Sequence, residues 1–174
     1  MNACSEIKKI SSIYIKLFVM DVDGTLTDGK IYMGADGEVF KAFNVHDGYG
    51  IHNILHSQGI MTAIITGRSS EIVTRRAKEL KIDHVLQDVT DKASALRSLQ
   101  EKLHVTKEET VYIGDDIPDL PAMELSGVNG CPCDAVPAVR EKCAFVSSLP
   151  GGSGAVREFI DWLVLPARIP PAVC

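Results

Sequence analysis

The sequence predicts an α/β protein: a Rossmann-like parallel sheet with helices on both faces. Two observations carry this. Short apolar, β-branched runs each stop at a polar loop, and apolar residues at helical spacing lie between those runs. Strands alternating with helices of this length imply right-handed βαβ units. A length of 174 residues suits one domain, expected over 14–165, with an N-terminal extension over 1–13 and a tail over 166–174.

The elements follow in order. Tyr14 to Met20 is the first strand, stopped by Asp21-Val22-Asp23-Gly24. Lys30 to Met33 and Glu38 to Phe43 flank Gly34-Ala35-Asp36-Gly37, a hairpin with its turn expected at Asp36-Gly37, projecting beyond that strand. Ile51, Ile54 and Leu55 mark a helix ending before Gly59. Met61 to Ile65 is a strand running into Thr66-Gly67-Arg68. Ser69 or Ser70 then caps a helix through Ile72, Ala77 and Leu80. His84 to Leu86 is a shorter strand. Ala95, Leu96, Leu99 and Leu103 share one helix face. Thr110 to Ile113 is a strand ending at Gly114-Asp115-Asp116, and Ala144 to Val146 is another short one. Val156, Phe159, Ile160 and Leu163 line the last helix. Beyond Leu165, three prolines prevent a further helix, so the tail is read as extended.

Composition excludes several classes. A net charge of −5 and a pI near 5.5 argue against a nucleic-acid partner, which a basic face would recruit by displacing counterions. No apolar run approaches the length of a membrane span, and residues 1–12 lack the apolar stretch of a secretory signal, so a cytoplasmic protein is expected. Cysteines stand at 4, 131, 133, 143 and 174, an odd number that fits a reducing compartment rather than a disulfide framework. Cys131-Pro132-Cys133 has no partner pair to complete a zinc site.

In an open parallel sheet, ligands collect at the carboxyl ends of the strands. The residues delivered there are Asp21, Asp23, Thr66, Arg68, Asp115 and Asp116. Carboxylates meeting at one point repel unless a hard divalent cation lies among them, and all-oxygen ligands favour Mg²⁺. A carboxylate so placed can also attack a phosphoryl group in line. Asp21 is the candidate nucleophile, and Asp23 the acid that protonates the leaving alcohol and then the base for water. The Thr66 hydroxyl and the Lys92 ammonium, the latter at a helix N-terminus after Asp91, are candidate donors to the phosphoryl oxygens.

Asp-Val-Asp-Gly-Thr at 21–25, a strand ending in Thr66, the lone Lys92 and Gly-Asp-Asp with Asp119 at 114–119 resemble the four motifs of the haloacid dehalogenase superfamily, in order. The resemblance implies that Mg²⁺ is held by the Asp21 carboxylate, the Asp23 backbone carbonyl and the Asp115 carboxylate. Asp116 and Asp119 are left with two readings: orienting metal-bound waters, or capping the next helix. The gaps from Asp21 to Thr66 and from Thr66 to Lys92 have no room for a cap domain. Neighbouring subunits are then expected to close the site.

The stretches DVDGTLTDGKIYMGADGEVFKAFNVHDGYGI, AIITGR, YIGDD and PGGSGAVRE are similar to the tetrameric 3-deoxy-D-manno-octulosonate 8-phosphate phosphatases. That resemblance implies a homotetramer assembled through the hairpin, and a cytoplasmic enzyme of lipopolysaccharide precursor synthesis. It implies sugar-acid contacts from Asp23, Asn44, Val45, His46, Asp47, Gly48, His52, Arg68, Arg76 and Lys92. His46 and His52 stand where such proteins often carry arginine, and Ser153 interrupts a glycine-rich turn. Two alternatives stand beside it: a nine-carbon ulosonate or sialic acid 9-phosphate as substrate, and a non-catalytic tetramerisation module.

Overall fold

The computed structural model describes residues 14–164, so the expected extension over 1–13 and tail over 166–174 lie outside the described residues. Six strands form one parallel sheet: β1 (Leu17–Met20), β4 (Met61–Ile65), β5 (His84–Leu86), β6 (Thr110–Ile113), β7 (Val128–Cys131) and β8 (Phe145–Val146). Their spatial order is β5-β4-β1-β6-β7-β8. β1 therefore sits between β4 and β6, with Met20 beside both Ile64 and Ile113. This register brings the loops after β1 and β6 together at one end of the sheet.

β1 is buried on both sides, and its alternation divides the core. Phe18 and Met20 pack with Ile51, Leu55, Ile64, Val73 and Phe159. Leu17 and Val19 pack on the other face with Ile65, Leu96, Tyr112 and Met123. Six described α-helices cover these faces: α1 (Val45–Tyr49, continued by a π-helical segment Gly50–Leu55), α2 (Glu71–Leu80), α3 (Lys92–Leu103), the short α4 (Leu120–Met123), α5 (Pro137–Arg140) and α6 (Ala155–Val164).

Two local expectations change. β7 carries no apolar periodicity, because Asn129 and Gly130 read as turn formers. Gly130 is required there: a Cβ would stand 2.9 Å from the Phe159 ring, which occupies that space. The hairpin β2 (Tyr32–Gly34) and β3 (Gly37–Phe40) turns at Ala35-Asp36, one residue earlier than expected. Gly37 instead pairs with Gly34 at φ +115°, a conformation open to glycine. Tyr32 stacks on Phe40 with centroids 4.2 Å apart, and Met33 and Val39 remain exposed. Between Asp21 and Thr66 the chain builds only this hairpin, α1 and its π-helical continuation, and between Thr66 and Lys92 only α2 and β5, so no cap domain interrupts the fold.

Candidate active site

Asp21 follows β1 directly, and its N–H donates to the Ile113 carbonyl at 3.0 Å, so the sheet itself fixes its backbone. The chain then turns sharply, with the amides of Thr25, Leu26 and Thr27 all donating to the Val22 carbonyl. Gly24 adopts φ +92°, and a Cβ there would lie 2.1 Å from Asp115 Oδ2. Only glycine admits the Asp115 carboxylate against the loop. The Thr25 hydroxyl donates to Asp115 Oδ1 at 3.1 Å.

Asp119 supplies the third carboxylate. It is 1% exposed, and oxygens of Asp21, Asp115 and Asp119 all lie within 4.8 Å of one another. Oδ2 of Asp119 accepts from the amides of Asp115 and Asp116, both at 3.2 Å. Its Oδ1 accepts from Lys92 Nζ at 2.7 Å and from the Tyr112 hydroxyl at 2.8 Å. Asp116 is exposed and caps the following turn by accepting from Ile117 N at 2.7 Å. Both side chains of this pair cap the turn, and Asp119 lies in the carboxylate cluster as well.

Lys92 opens α3 behind the N-cap Asp91, whose carboxylate accepts from Ser94 N at 3.0 Å. Its Nζ reaches Asp21 Oδ1 at 2.8 Å as well as Asp119. Burial opposes the ammonium, but Asp21 and Asp119 outweigh it and raise its pKa. Asp21 is pushed up to about 6 by burial and then by Asp119, and Asp115 to about 8 by burial and then by Asp21. Carboxylates held against water and one another in this way are a hard-cation site, so these residues fit Mg²⁺. Among the described residues this is the one such cluster of His, Cys, Asp and Glu, and it includes neither Cys131 nor Cys133.

The remaining expected residues fall in separate places. Thr66 is 2% exposed at the end of β4, held by N–H donation to Leu86 and by Val89 N donating to its carbonyl. Arg68 is half-exposed, with Nε 3.7 Å from Asp23 Oδ2. Val45, Gly48, His52 and Arg76 line an open depression of 280 Å³ that does not include Asp21 or Asp23. His46 is exposed, and the Asn44 side chain accepts its amide at 2.7 Å, capping α1. Asp47, expected at the sugar, is 1% exposed and its carboxylate accepts from Arg157 N at 2.7 Å in the first turn of α6. It faces the helix end, where the dipole favours an anion.

Two residues at Asp23 carried no sequence signal. Lys41, at the exit of β3, places its ammonium on Asp23 Oδ1 and 3.0 Å from Glu38 Oε1. Glu38 also accepts from the Ser70 hydroxyl at 2.5 Å, which leaves the N-cap position of α2 without a side-chain bond. Burial raises Glu38, but Ser70 and Lys41 outweigh it and hold its carboxyl below the ordinary value. In the sequence, both side chains look like the solvated face of a hairpin.

A sequence model of haloacid dehalogenase-like hydrolases matches residues 51–127. The chain is 46% identical over 151 residues to the 3-deoxy-D-manno-octulosonate 8-phosphate phosphatase of Escherichia coli K12, covering 87% of this chain and 80% of that one. The phosphatase of that name from Moraxella catarrhalis, solved with magnesium, phosphate and 3-deoxy-D-manno-octulosonate, superposes with a TM-score of 0.86 at 43% identity, covering 91% of this chain and 90% of that one. The cobalt-bound enzyme from Haemophilus influenzae superposes at 0.83 with 40% identity, covering 86% and 87%.

Proposed function

The chain belongs to the 3-deoxy-D-manno-octulosonate 8-phosphate phosphatases, within the haloacid dehalogenase-like hydrolases, and from that premise we infer that it hydrolyses this sugar phosphate to the free sugar acid and phosphate. The observation that carries the reading is the buried cluster of Asp21, Asp115 and Asp119 bridged by Lys92, in a chain this similar to enzymes of that name.

In the first half-reaction a carboxylate oxygen of Asp21 attacks phosphorus, the bond from phosphorus to the sugar oxygen breaks, and Asp23 gives its proton to that oxygen. In the second, water attacks the aspartyl-phosphate, its proton passes to Asp23, and the Asp21 carboxylate returns. Lys92 and Thr66 hold the phosphoryl oxygens. Asp21, the Asp23 carbonyl and Asp115 would hold Mg²⁺, with Asp119 beside them; when bound, the ion neutralises the carboxylates and the phosphoryl charge. Asp116 serves the turn.

Arg68 meets the sugar acid beside Asp23. Asn44, Val45, His46, His52 and Arg76 act from elsewhere on the surface, which fits a homotetramer in which one protomer's sugar contacts face its neighbour's nucleophile. The exposed Met33, Val39 and Phe40 of the hairpin support assembly there. No described helix is long and apolar enough to cross a membrane, and a cytoplasmic enzyme supplying lipopolysaccharide precursors is the matching setting.

The test is phosphate release from the octulosonate 8-phosphate, a nine-carbon ulosonate 9-phosphate and ordinary sugar phosphates, with Mg²⁺ and with EDTA. Mg²⁺-dependent turnover of the first alone is expected. Preference for the nine-carbon ester would move the substrate, and no turnover of any would favour a scaffold.

A further inference from the structure

We propose that Lys41 is a positioning residue for the proton transfer, fixing the Asp23 carboxylate so that one defined oxygen faces the leaving group. The proposal rests on the phosphatase reading above.

Lys41 lies at the exit of the hairpin, yet its side chain is 1% exposed because it folds back onto the loop after β1. The ammonium contacts Asp23 Oδ1, and Glu38 Oε1 holds it from the other side at 3.0 Å. Glu38 is itself fixed by the Ser70 hydroxyl at 2.5 Å and lies 3.5 Å from Arg68 Nη2. With Asp23 ionised, Asp23 and Glu38 balance Lys41 and Arg68, and the Asp23 carboxylate left after proton transfer is the form this pairing holds. A buried, paired ammonium is a rigid support, whereas an exposed lysine would not be.

An ammonium only donates. Oδ1 of Asp23 accepts from it, so the proton that moves to the sugar oxygen belongs on Oδ2. Arg68 Nε stands 3.7 Å from Oδ2, beyond a hydrogen bond, and leaves that oxygen available. When the phosphorus–oxygen bond breaks, the Oδ2 proton passes to the departing alkoxide and the Asp23 carboxylate stays on Lys41. The sequence gives no sign of this, because Lys41 stands 18 residues from Asp23 in the chain.

A proton donor matters for an alkyl ester, whose alcohol leaves poorly as the anion. It matters little for p-nitrophenyl phosphate, whose phenolate leaves unaided. The experiment compares kcat/KM for the octulosonate 8-phosphate and for p-nitrophenyl phosphate in the wild-type protein, Lys41→Met and Lys41→Arg. That ratio reports only the steps up to departure of the leaving group. Lys41→Met is expected to lose about tenfold or more on the sugar ester beyond any loss on the aryl ester, a fraction of the roughly 10²–10⁴ supplied by a positioned acid. Lys41→Arg should recover part of that selective loss. Equal losses on both esters would overturn the proposal and leave the phosphatase reading intact. A wild-type protein inactive on both would overturn the reading and the proposal together. Should melting show Lys41→Met unfolded, Lys41→Gln takes its place, with selective loss expected and equal loss overturning.

Discussion

Lys92 Nζ lies 2.8 Å from Asp21 Oδ1, with both side chains only 7% exposed. The ammonium is buried against the residue assigned as nucleophile and against Asp119 on its other side. Removing one partner of a buried pair leaves uncompensated charge, at a cost of about 3 kcal/mol or more. Lys92→Met should therefore lose that stability in EDTA and less in Mg²⁺, where a second cation faces the same carboxylates. Chemical denaturation in the two buffers measures this. Equal losses would show that Mg²⁺ and Lys92 do not share the cluster.

Asp21→Asn should separate activity from stability. Turnover should fall by at least about 10³-fold, as when a nucleophile is removed. Melting in EDTA should hold or rise, because one of three mutually repelling carboxylates is gone. Retained turnover would exclude the aspartyl-phosphate route.

The metal-free protein should weaken as pH rises. The folded state keeps protons on Asp21 and Asp115 up to about 6 and about 8, whereas an ordinary aspartate carboxyl loses its proton near 3.8. Between those values the folded state binds more protons than the unfolded one, so stability falls with rising pH. Melting temperatures in EDTA should decline from pH 4 to pH 8 by this mechanism, and Mg²⁺ should flatten the decline. A rising profile in EDTA would contradict the arrangement.

Gly151→Ala should disable the site from a distance. A Cβ at Gly151 would stand 1.9 Å from the Gly24 carbonyl oxygen, so the loop carrying Asp23 must move. A stability loss of about 2 kcal/mol or more is expected from this overpacking. Activity should fall with it, read by denaturation and phosphate release together.

Asp47→Ala should act on the fold. Loss of its hydrogen bond to the start of α6 predicts a cost of about 1 kcal/mol, as for a helix cap. KM for the sugar phosphate should stay within about threefold, about 0.7 kcal/mol of binding, because the buried carboxylate is engaged by the α6 amide. A large rise in KM with unchanged melting would return Asp47 to the sugar.

The alternation of strands and helices, the carboxylates after β1 and β6, Thr66 after β4, and Lys92 behind its cap are all legible along the chain. These are local facts: apolar runs that must be buried, and polar residues where those runs end. The resemblance resting on them pointed to the family. Other features depend on residues far apart in the chain and arise only on folding. β7 is a strand because Phe159 fills the space above Gly130. Asp119 joins the cluster because Gly114 lets its carboxylate fold back: a Cβ there would stand 2.4 Å from Asp119 Cγ. Asp47 turns inward because the start of α6 presents its amides to it. Lys41 and Glu38 leave the hairpin surface because Asp23, Ser70 and Arg68 meet them there. Burial and charge pairing are properties of proximity in space, and the order of residues along the chain does not encode them locally.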